Sequence, residues 1–166
     1  MKIIDNFLPM EDFIAIKHTV MQHNFPFFVN TNVSNDSEPD EPWRWYGTHV
    51  AYDNDVPTSD YFEPLYNCFI PRFGEMECGF KSLIRIKINM YPHTPEVKEN
   101  FKHVDCPFPN YAAVYSLNTC DGYTRLRDGT KIDSVENRIV FFEGGDIHNS
   151  STTTTELRYN INFNWL

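Results

Sequence analysis

Residues 80–91, FKSLIRIKINMY, decide the fold, because apolar and polar side chains alternate along them. One face of this stretch, when extended, carries the apolar residues Phe80, Ile84, Ile86, Ile88 and Met90. The opposite face carries Arg85, Lys87, Asn89 and Tyr91. Successive side chains of a β-strand point to opposite faces of its sheet, so this period of two predicts a long strand with one face against a hydrophobic core.

The end of the chain, residues 157–166 (LRYNINFNWL), repeats the pattern. Its apolar face holds Tyr159, Ile161, Phe163 and Trp165, and its polar face holds Arg158, Asn160, Asn162 and Asn164. Between the two long strands, the sequence predicts shorter strands at 111–118, 123–127, 130–132 and 138–142. The turns between them are indicated by Asp121-Gly122, Asp128-Gly129 and Gly144-Gly145.

The first half of the chain has a different period. Residues 9–22 and 59–70 carry apolar side chains at helical spacing, and the second of these helices is predicted to end at Pro71. A polar loop at 30–42 separates the first helix from an aromatic, β-prone stretch at 43–52. Two helices followed by many short strands predict a mainly β domain with N-terminal helices (α+β), a sandwich or barrel with the helices on one sheet. The polar strand faces then either meet solvent or line a wet interior.

Composition narrows the class of protein. The 166 residues match one domain, and 41% hydrophobic with 16% aromatic residues is typical of a packed globule. A net charge of -9 counts against a nucleic-acid partner, which draws on a surplus of Lys and Arg. No apolar run approaches the roughly 18 residues of a membrane span, and the N-terminus lacks the pattern of a signal peptide.

The four cysteines are Cys68, Cys78, Cys106 and Cys120. They lack CxxC spacing, so we interpret them as reduced thiols of a cytoplasmic protein.

A candidate metal site begins at His103-Val104-Asp105. Alternation puts His103 and Asp105 on one side of an extended segment, and His148, after the strand-like RIVFF and a Gly-Gly turn, supplies a third donor. Two histidines and one carboxylate leave coordination positions open, which suits non-haem Fe(II). A closed zinc site would need four ligands, usually rich in sulfur. By themselves, His103 and Asp105 more often form an exposed pair on a strand than a metal site.

Arg158 follows His148 by ten residues, on the polar face of the last strand. A guanidinium can hold a dicarboxylate through two parallel hydrogen bonds, whereas the plain alternative is a surface salt bridge. Asn160 points the same way, and Asn89 and Tyr91 can add hydrogen bonds from the other long strand. Tyr91 precedes Pro92, so it can equally serve only to close that strand.

This ordered set of residues resembles the Fe(II)/2-oxoglutarate-dependent oxygenase superfamily, in particular its short prolyl-hydroxylase-like members. Two features carry the resemblance first: H-x-D at 103–105, and the distal His148 followed ten residues later by Arg158. The supporting motifs are NMY (89–91), DGYTRL (121–126), NRIVFFEGGDIH (137–148) and IIDNFLPMEDF (3–13). The match covers roughly the last 90 residues well and the first 80 weakly. Two residues depart from the prolyl-hydroxylase pattern, which commonly has a lysine in place of Arg158 and a glycine in place of Asp121.

The resemblance implies a double-stranded β-helix (jelly roll) in a single domain, with 1–79 as a helical and loop support and 80–166 as the β-helix core. It implies Fe(II) held by His103, Asp105 and His148. It also implies 2-oxoglutarate and O2 as cosubstrates, with Arg158, Tyr91, Asn89 and Asn160 in the cosubstrate site. The expected reaction is hydroxylation of a small molecule or of a peptide or protein side chain, with release of succinate and CO2.

Two other functions are consistent with the same residues. One is a jelly-roll module that binds metal or ligand without redox chemistry, although such a module has no need of a dicarboxylate clamp at Arg158. The other is a nucleobase-demethylating oxygenase, suggested by NMY (89–91), against which the net charge counts. The sequence carries no signal for the substrate or the oligomeric state.

Residues 30–57 and 92–101 are expected to form much of the rim of the substrate pocket. Trp43 and Trp45 can either grip substrate or pack in the core, and one of the two is expected in the core. His49 has no partner at ligand spacing and is expected at the surface or at a helix end.

Overall fold

The computed structural model describes residues 1–31, 41–75 and 79–166, and these form two antiparallel sheets and two helices. The strands are β1 (Lys2–Ile4), β2 (Phe28–Asn30), β3 (Tyr46–Asp53), β4 (Val56–Pro57), β5 (Leu83–Tyr91), β6 (Tyr111–Ser116), β7 (Tyr123–Arg125), β8 (Lys131–Asp133), β9 (Arg138–Glu143), β10 (Asn149–Ser150) and β11 (Arg158–Trp165). The large sheet runs in the order β1-β9-β6-β11-β5-β3-β2, with β4 paired to β3, and the small sheet in the order β10-β7-β8. The helices are α1 (Met10–Met21) and α2 (Phe62–Gly74).

The two long strands predicted from alternation, β5 and β11, are neighbours at the centre of the large sheet. They pair antiparallel, with Arg158 opposite Tyr91, Asn160 opposite Asn89, Asn162 opposite Lys87 and Asn164 opposite Arg85. All four pairs lie on the same face of the sheet because the side-chain period of a strand is two. Phe80 lies just outside the strand, which begins at Leu83.

Both helices pack on the apolar face of the large sheet, which confirms the predicted layer arrangement. Phe13 and Ile16 of α1 and Phe69 and Phe73 of α2 share one core cluster with the odd-numbered apolar residues of β11. The Phe69 ring lies 4.6 Å from that of Phe163, centre to centre. Each such side chain removed from water contributes on the order of 2 kcal/mol.

The prediction that α2 ends at Pro71 is wrong, because the helix continues through the proline to Gly74. Its last turn buries Phe73 completely, against Phe141 and Trp165. The burial of Phe73 offsets the backbone hydrogen bond that Pro71 cannot donate.

The first 79 residues are more than a helical and loop support for the β core, as they also contribute strands to it. β1 pairs with β9 along one side of the large sheet, and β3 pairs with β5 along the other. Backbone groups left unpaired at these sheet edges would need other partners, and the N-terminal strands supply them.

The opposite face of the large sheet is turned toward the small sheet. One half of this interior is apolar, with Ala112 and Val114 of β6, Val140 of β9 and Ile132 of β8 packed together. The other half, above β5 and β11, is polar and holds the four cross-strand pairs. Arg158, Asn160, Asn162 and Asn164 are all buried, so the polar strand face lines an interior and does not meet bulk solvent.

Cys68, Cys106 and Cys120 are free thiols, and Cys78 lies outside the described residues, as do 32–40 of the predicted loop and pocket rim. Within the described ranges, neither helix has the length and apolar character needed to cross a bilayer.

Candidate active site

His103 and His148 are brought together by the backbone. The amide N–H of each donates to the carbonyl of the other, at 2.9 Å in both directions. This antiparallel bridge sets the two imidazoles side by side, with ring centres 4.8 Å apart. The bridge joins the segment after β5 to the segment after β9, so two stretches distant in the chain supply one pair of candidate ligands.

Asp105 completes a three-residue cluster. Its Oδ1 lies 3.9 Å from His103 Nε2 and its Oδ2 lies 3.8 Å from His148 Nε2. One donor atom from each residue falls within 4.8 Å of the other two. The structure thus brings together all three residues that the sequence singled out as metal ligands.

The imidazole contacts favour metal binding through Nε2. Nδ1 of His103 lies 3.2 Å from the carbonyl of Phe101, and Nδ1 of His148 lies 3.0 Å from the carbonyl of Asp146. A carbonyl can only accept, so Nδ1 carries the proton and Nε2 presents its lone pair to the centre of the cluster. His148 Nε2 is buried without a hydrogen-bond partner, which is costly unless a ligand binds it. A divalent cation fits this donor set.

Ionisation of the cluster also favours a cation. Burial raises the pKa of Asp105, but the charges of Arg85 and then His148 outweigh that effect and hold it below its usual range. Burial, followed by the neighbouring His148, lowers the pKa of His103 to about 4. At neutral pH, therefore, the cluster offers an anionic carboxylate and a neutral His103 imidazole, the forms that bind metal.

Arg158 lies deep between the two sheets, with 1% of its surface exposed. Its guanidinium bridges the sheets: Nε donates to Ser134 Oγ at 2.7 Å, Nη1 to the carbonyl of Ser151 at 3.2 Å, and Nη2 to Thr124 Oγ1 at 2.9 Å. These bonds use one N–H of each nitrogen. A guanidinium has five N–H groups, so one N–H remains on Nη1 and one on Nη2 to donate to a carboxylate.

No carboxylate of the described residues forms an ion pair with Arg158. Burial lowers its pKa, with Tyr91 and Cys120 acting in the opposite direction. A buried charge without a counter-ion is expensive, and proteins normally pair it or bind a ligand to it. The position is thus prepared for an anion.

Gly122 makes room for this guanidinium. A Cβ added at this position would lie 2.7 Å from Arg158 Cδ and 2.8 Å from the carbonyl oxygen of Thr152, both too close. The DGYTRL stretch therefore contributes a glycine for close approach and Thr124 as an acceptor. Ser134 and Ser151 were missed by the sequence analysis, since a serine in a loop carries no signal of a distant partner.

Tyr91 and Asn160 lie beside Arg158, and Asn89 lies one cross-strand pair further along. The Arg158 guanidinium carbon sits 5.1 Å from the centre of the Tyr91 ring, which also stacks on Tyr46 at 5.9 Å. Nδ2 of Asn89 donates to Oδ1 of Asn160 at 2.9 Å, while Asn89 Oδ1 is buried without a partner. Burial raises the pKa of Tyr91, so its hydroxyl keeps its proton and can donate.

Two cations of β5 that the sequence analysis did not assign to the site also line it. Arg85 Nη2 lies 2.7 Å from Asp105 Oδ1, and Lys87 lies between Arg85 and Asn89 on the same strand face. Burial, together with Arg85, lowers the pKa of Lys87 to about 8, while Asp105 opposes the shift. The alternation along β5 was the available signal, since it puts both residues on the face of Asn89 and Tyr91.

The prediction that one of Trp43 and Trp45 packs in the core is wrong. Neither Trp43 nor Trp45 belongs to the core, as both are half-buried. The guanidinium of Arg44 lies between Trp43 and Phe101, 4.8 Å and 4.7 Å from the ring centres, and so connects the two segments predicted to form the pocket rim. The tryptophan that packs in the core beside α2 is Trp165, at the end of β11.

His49 is buried, not at the surface as predicted. Its two ring nitrogens contact the carbonyl of Pro26 at 2.9 Å and Ser59 Oγ at 2.8 Å. It lines a cavity of about 780 Å³ between the helices and the large sheet, together with Ile88 and Leu65. Ile88 lies on the sheet face opposite to Lys87 and Asn89, so this cavity is separate from the metal-ligand cluster.

The fold is shared with solved oxygenases. A prolyl hydroxylase from Trichoplax adhaerens, in complex with a peptide from the oxygen degradation domain of hypoxia inducible factor, superposes with a TM-score of 0.68 at 18% identity, over 99% of this chain and 82% of that one. A Pseudomonas putida prolyl-4-hydroxylase gives 0.63 at 14% identity, over 99% and 91%. A non-haem α-ketoglutarate-dependent epimerase from nogalamycin biosynthesis gives 0.67 at 10% identity, over 99% and 76%. No protein-family model and no curated protein matches the chain by sequence.

The fold is therefore the jelly roll of the 2-oxoglutarate and Fe(II) oxygenases, in its prolyl-hydroxylase-like form. At these identities the likeness concerns the fold alone, and fold does not fix function. The chemistry depends on the three-residue cluster and on Arg158.

Proposed function

We propose that this protein is an Fe(II)- and 2-oxoglutarate-dependent dioxygenase that hydroxylates a small molecule or a peptide or protein side chain. One observation carries the proposal: a buried arginine with two spare N–H groups shares the polar interior with an open cluster of two histidines and one aspartate. A module that only bound metal would have no use for Arg158 in this state.

Each residue has a defined task in this proposal. His103, Asp105 and His148 would hold Fe(II), which supplies the oxidising chemistry when bound together with 2-oxoglutarate and O2. Arg158 binds the carboxylate of 2-oxoglutarate that is remote from the metal. Tyr91 and Asn160 donate or accept hydrogen bonds beside it, and Asn89 holds Asn160 in place. The sheets on either side exclude water from the reacting groups.

The structural neighbours differ in the size of the substrates they act on. One structural neighbour was solved with a peptide, and another is an epimerase of nogalamycin biosynthesis. Proteins with this fold therefore act on substrates of very different size. Arg158 departs from the lysine that the prolyl-hydroxylase pattern commonly has, so proline is not assigned as the target.

The test is an anaerobic titration with Fe(II) and then 2-oxoglutarate, followed in the visible range. We expect one Fe(II) per chain and a metal-to-ligand charge-transfer band when 2-oxoglutarate is added. Succinate release is then measured against peptides, amino acids and other metabolites. Metal binding without the band and without succinate would identify a non-redox metal module and overturn the proposal.

Two variants test whether Arg158 binds the cosubstrate. Arg158→Ala should keep Fe(II) binding and weaken 2-oxoglutarate binding about 100-fold or more, in line with the loss of a buried charge-assisted bidentate contact. Arg127→Ala is the control, since the Arg127 side chain is 74% exposed. Equal affinity for 2-oxoglutarate in Arg158→Ala and the wild type would refute the assignment.

A further inference from the structure

The cavity of about 780 Å³ lies between the two helices and the large sheet. Four of its lining side chains are buried and apolar: Ile16 and Val20 of α1, Leu65 of α2 and Ile88 of β5. A close-packed protein interior has few voids larger than a water molecule. A space of this size with apolar walls is in the range of small-molecule pockets, about 300–1,000 Å³.

Four polar side chains of the cavity wall already have partners within the protein. Thr19 Oγ1 and Thr58 Oγ1 each donate to a backbone carbonyl, at 2.8 Å and 2.7 Å. One ring nitrogen of His49 contacts a backbone carbonyl at 2.9 Å, and the other contacts Ser59 Oγ at 2.8 Å. Water held in a cavity needs about two to four polar partners, so these walls favour an apolar occupant over water.

The charge of the wall disfavours an anion. Among the described residues, two aspartates and no lysine or arginine line the cavity. Asp12 is paired with Arg72 at 3.6 Å, so the negative charge at the wall comes mainly from Asp60. Burial raises the pKa of the Cys68 thiol, which also lines the cavity and therefore carries no charge at neutral pH. An anionic ligand would meet repulsion here and no counter-ion.

The start of α2 lies at the same wall but offers little to an anion. A helix N-terminus normally favours negative charge through its free N–H groups. Here the N–H of Tyr61 donates to Ser59 Oγ at 3.3 Å, and the N–H of Phe62 donates to the Ser59 carbonyl at 3.1 Å. Pro64, in the first turn, has no N–H. The cavity therefore suits an uncharged molecule.

We propose that this cavity is a ligand site separate from the metal-ligand cluster, and that it binds an uncharged, apolar small molecule. Its volume excludes a protein segment as the occupant, because a partner helix, about 10–12 Å wide, exceeds this volume within about two turns. Ile88 points to the face of the large sheet opposite to that of Asn89, so the site does not depend on the proposed oxygenase function.

The experiment uses two ¹⁹F-labelled probes of similar shape, methyl 6-fluoro-2-naphthoate, which is uncharged, and the anion 6-fluoro-2-naphthoate. Fluorine line widths give both dissociation constants on the intact protein. We expect the ester to bind about 10-fold or more tightly than the carboxylate. Addition of 2-oxoglutarate should leave the ester bound, because Arg158 lies on the other face of the sheet. Failure of the ester to bind, or its displacement by 2-oxoglutarate, would overturn the proposal.

A variant that fills the cavity tests where the ester binds. Ala15→Trp should weaken ester binding about 10-fold or more, because Ala15 lines the cavity and its new ring occupies the space. Ile14→Trp is the matched control, since Ile14 is 56% exposed on the same helix and does not line the cavity. Thr19→Met is a second filling variant if Ala15→Trp fails to fold by urea unfolding. Unchanged ester binding in the folded filling variant, or an equal loss in Ile14→Trp, would overturn the site.

A charge reversal tests the preference for an uncharged ligand. Asp60→Lys should improve carboxylate binding about 3-fold or more at low salt and leave the ester unchanged. Asp133→Lys is the control, because it makes the same change at an exposed residue of the small sheet. A carboxylate affinity that is the same in Asp60→Lys and the wild type, or that rises equally in Asp133→Lys, would overturn the proposed role of charge at the cavity.

Discussion

Arg85 on β5 and Asp105 in the metal-ligand cluster form an ion pair, with Nη2 2.7 Å from Oδ1. The other carboxylate oxygen, Oδ2, lies 3.8 Å from His148 Nε2 and accepts a hydrogen bond from Asn164 Nδ2 at 3.3 Å. Asn164 in turn accepts a bond from Arg85 at 3.0 Å. Side chains from both central strands thereby hold the carboxylate in a fixed orientation, as residues behind metal ligands commonly do.

Removal of Arg85 should destabilise the metal-free protein. The Asp105 carboxylate is 4% exposed, so Arg85→Met leaves a nearly buried anion without its strongest partner. We expect a loss of about 2–3 kcal/mol in the free energy of unfolding, measured with urea in the presence of a chelator. Added Mn(II) should recover part of this loss, since a bound cation again balances the carboxylate.

The control for Arg85 is Lys17→Met, which breaks the exposed pair between Lys17 and Glu136. It should cost less than about 1 kcal/mol, because water and salt screen such pairs. A cost for Arg85→Met no larger than that of the control would show that Asp105 does not depend on the ion pair.

His148→Ala should abolish metal binding. His148 supplies the buried Nε2 that has no partner, and a site of only His103 and Asp105 holds a divalent ion weakly. We expect the affinity for Mn(II) to fall about 100-fold or more, measured by the electron spin resonance of free Mn(II). His93→Ala, which changes an exposed histidine, should bind Mn(II) as the wild type does. One Mn(II) per chain in His148→Ala would mean that the third ligand is another residue.

Gly122→Ala should impair the cosubstrate site without affecting the metal. The new Cβ would displace the Arg158 side chain, because the opposing contact is the backbone carbonyl of Thr152, which cannot easily move. We expect 2-oxoglutarate to bind about 10-fold or more weakly, by calorimetry, while Fe(II) stoichiometry stays at one. Gly74→Ala is the control, since no atom lies within 4 Å of its added Cβ. Unchanged 2-oxoglutarate affinity in Gly122→Ala would show that cosubstrate binding does not depend on the observed position of the Arg158 guanidinium.

Glu99 should make stability depend on pH in the acid range. It accepts hydrogen bonds from Arg125, Tyr123 and Asn149, and Arg125 is the main reason that its pKa falls to about 2. Because the folded-state pKa lies below the unfolded value of about 4.5, the contribution to stability is complete above pH 4.5 and is lost as the pH falls toward 2. After allowance for solvent screening, Glu99→Gln should cost about 1–2 kcal/mol at pH 7.

The measurement is urea unfolding of the wild type and Glu99→Gln at pH 7, 4.5 and 3. The difference between them should be constant from pH 7 to about 4.5 and shrink below that value. Glu136→Gln, at an exposed carboxylate, should cost less than about 1 kcal/mol at pH 7. A difference for Glu99→Gln that stays the same down to pH 3 would contradict the assigned ion pair with Arg125.

Much of this architecture could be predicted, because it depends on local periodicity. The alternation of 80–91 and 157–166 indicated both central strands and their apolar faces, and helical spacing indicated both helices. Pro71 misled the prediction, since a local rule about proline takes no account of the burial of Phe73 two residues later. His49 was misplaced for a related reason: its partners Pro26 and Ser59 reach it only through the packing of other elements.

The sequence by itself determined which residues of the two long strands belong to which face, and it placed Arg158 on the polar one. That His103, Asp105 and His148 share a site with Arg158 was implied only by the family resemblance. Only the tertiary structure decided what these residues contact. The bridge between the two histidines, the bond of Arg158 to Ser134 and the pairing of Arg85 with Asp105 all join segments that are distant in the chain. Strand register and the closure of one sheet over the other set those contacts, and neither is encoded in any single stretch of residues.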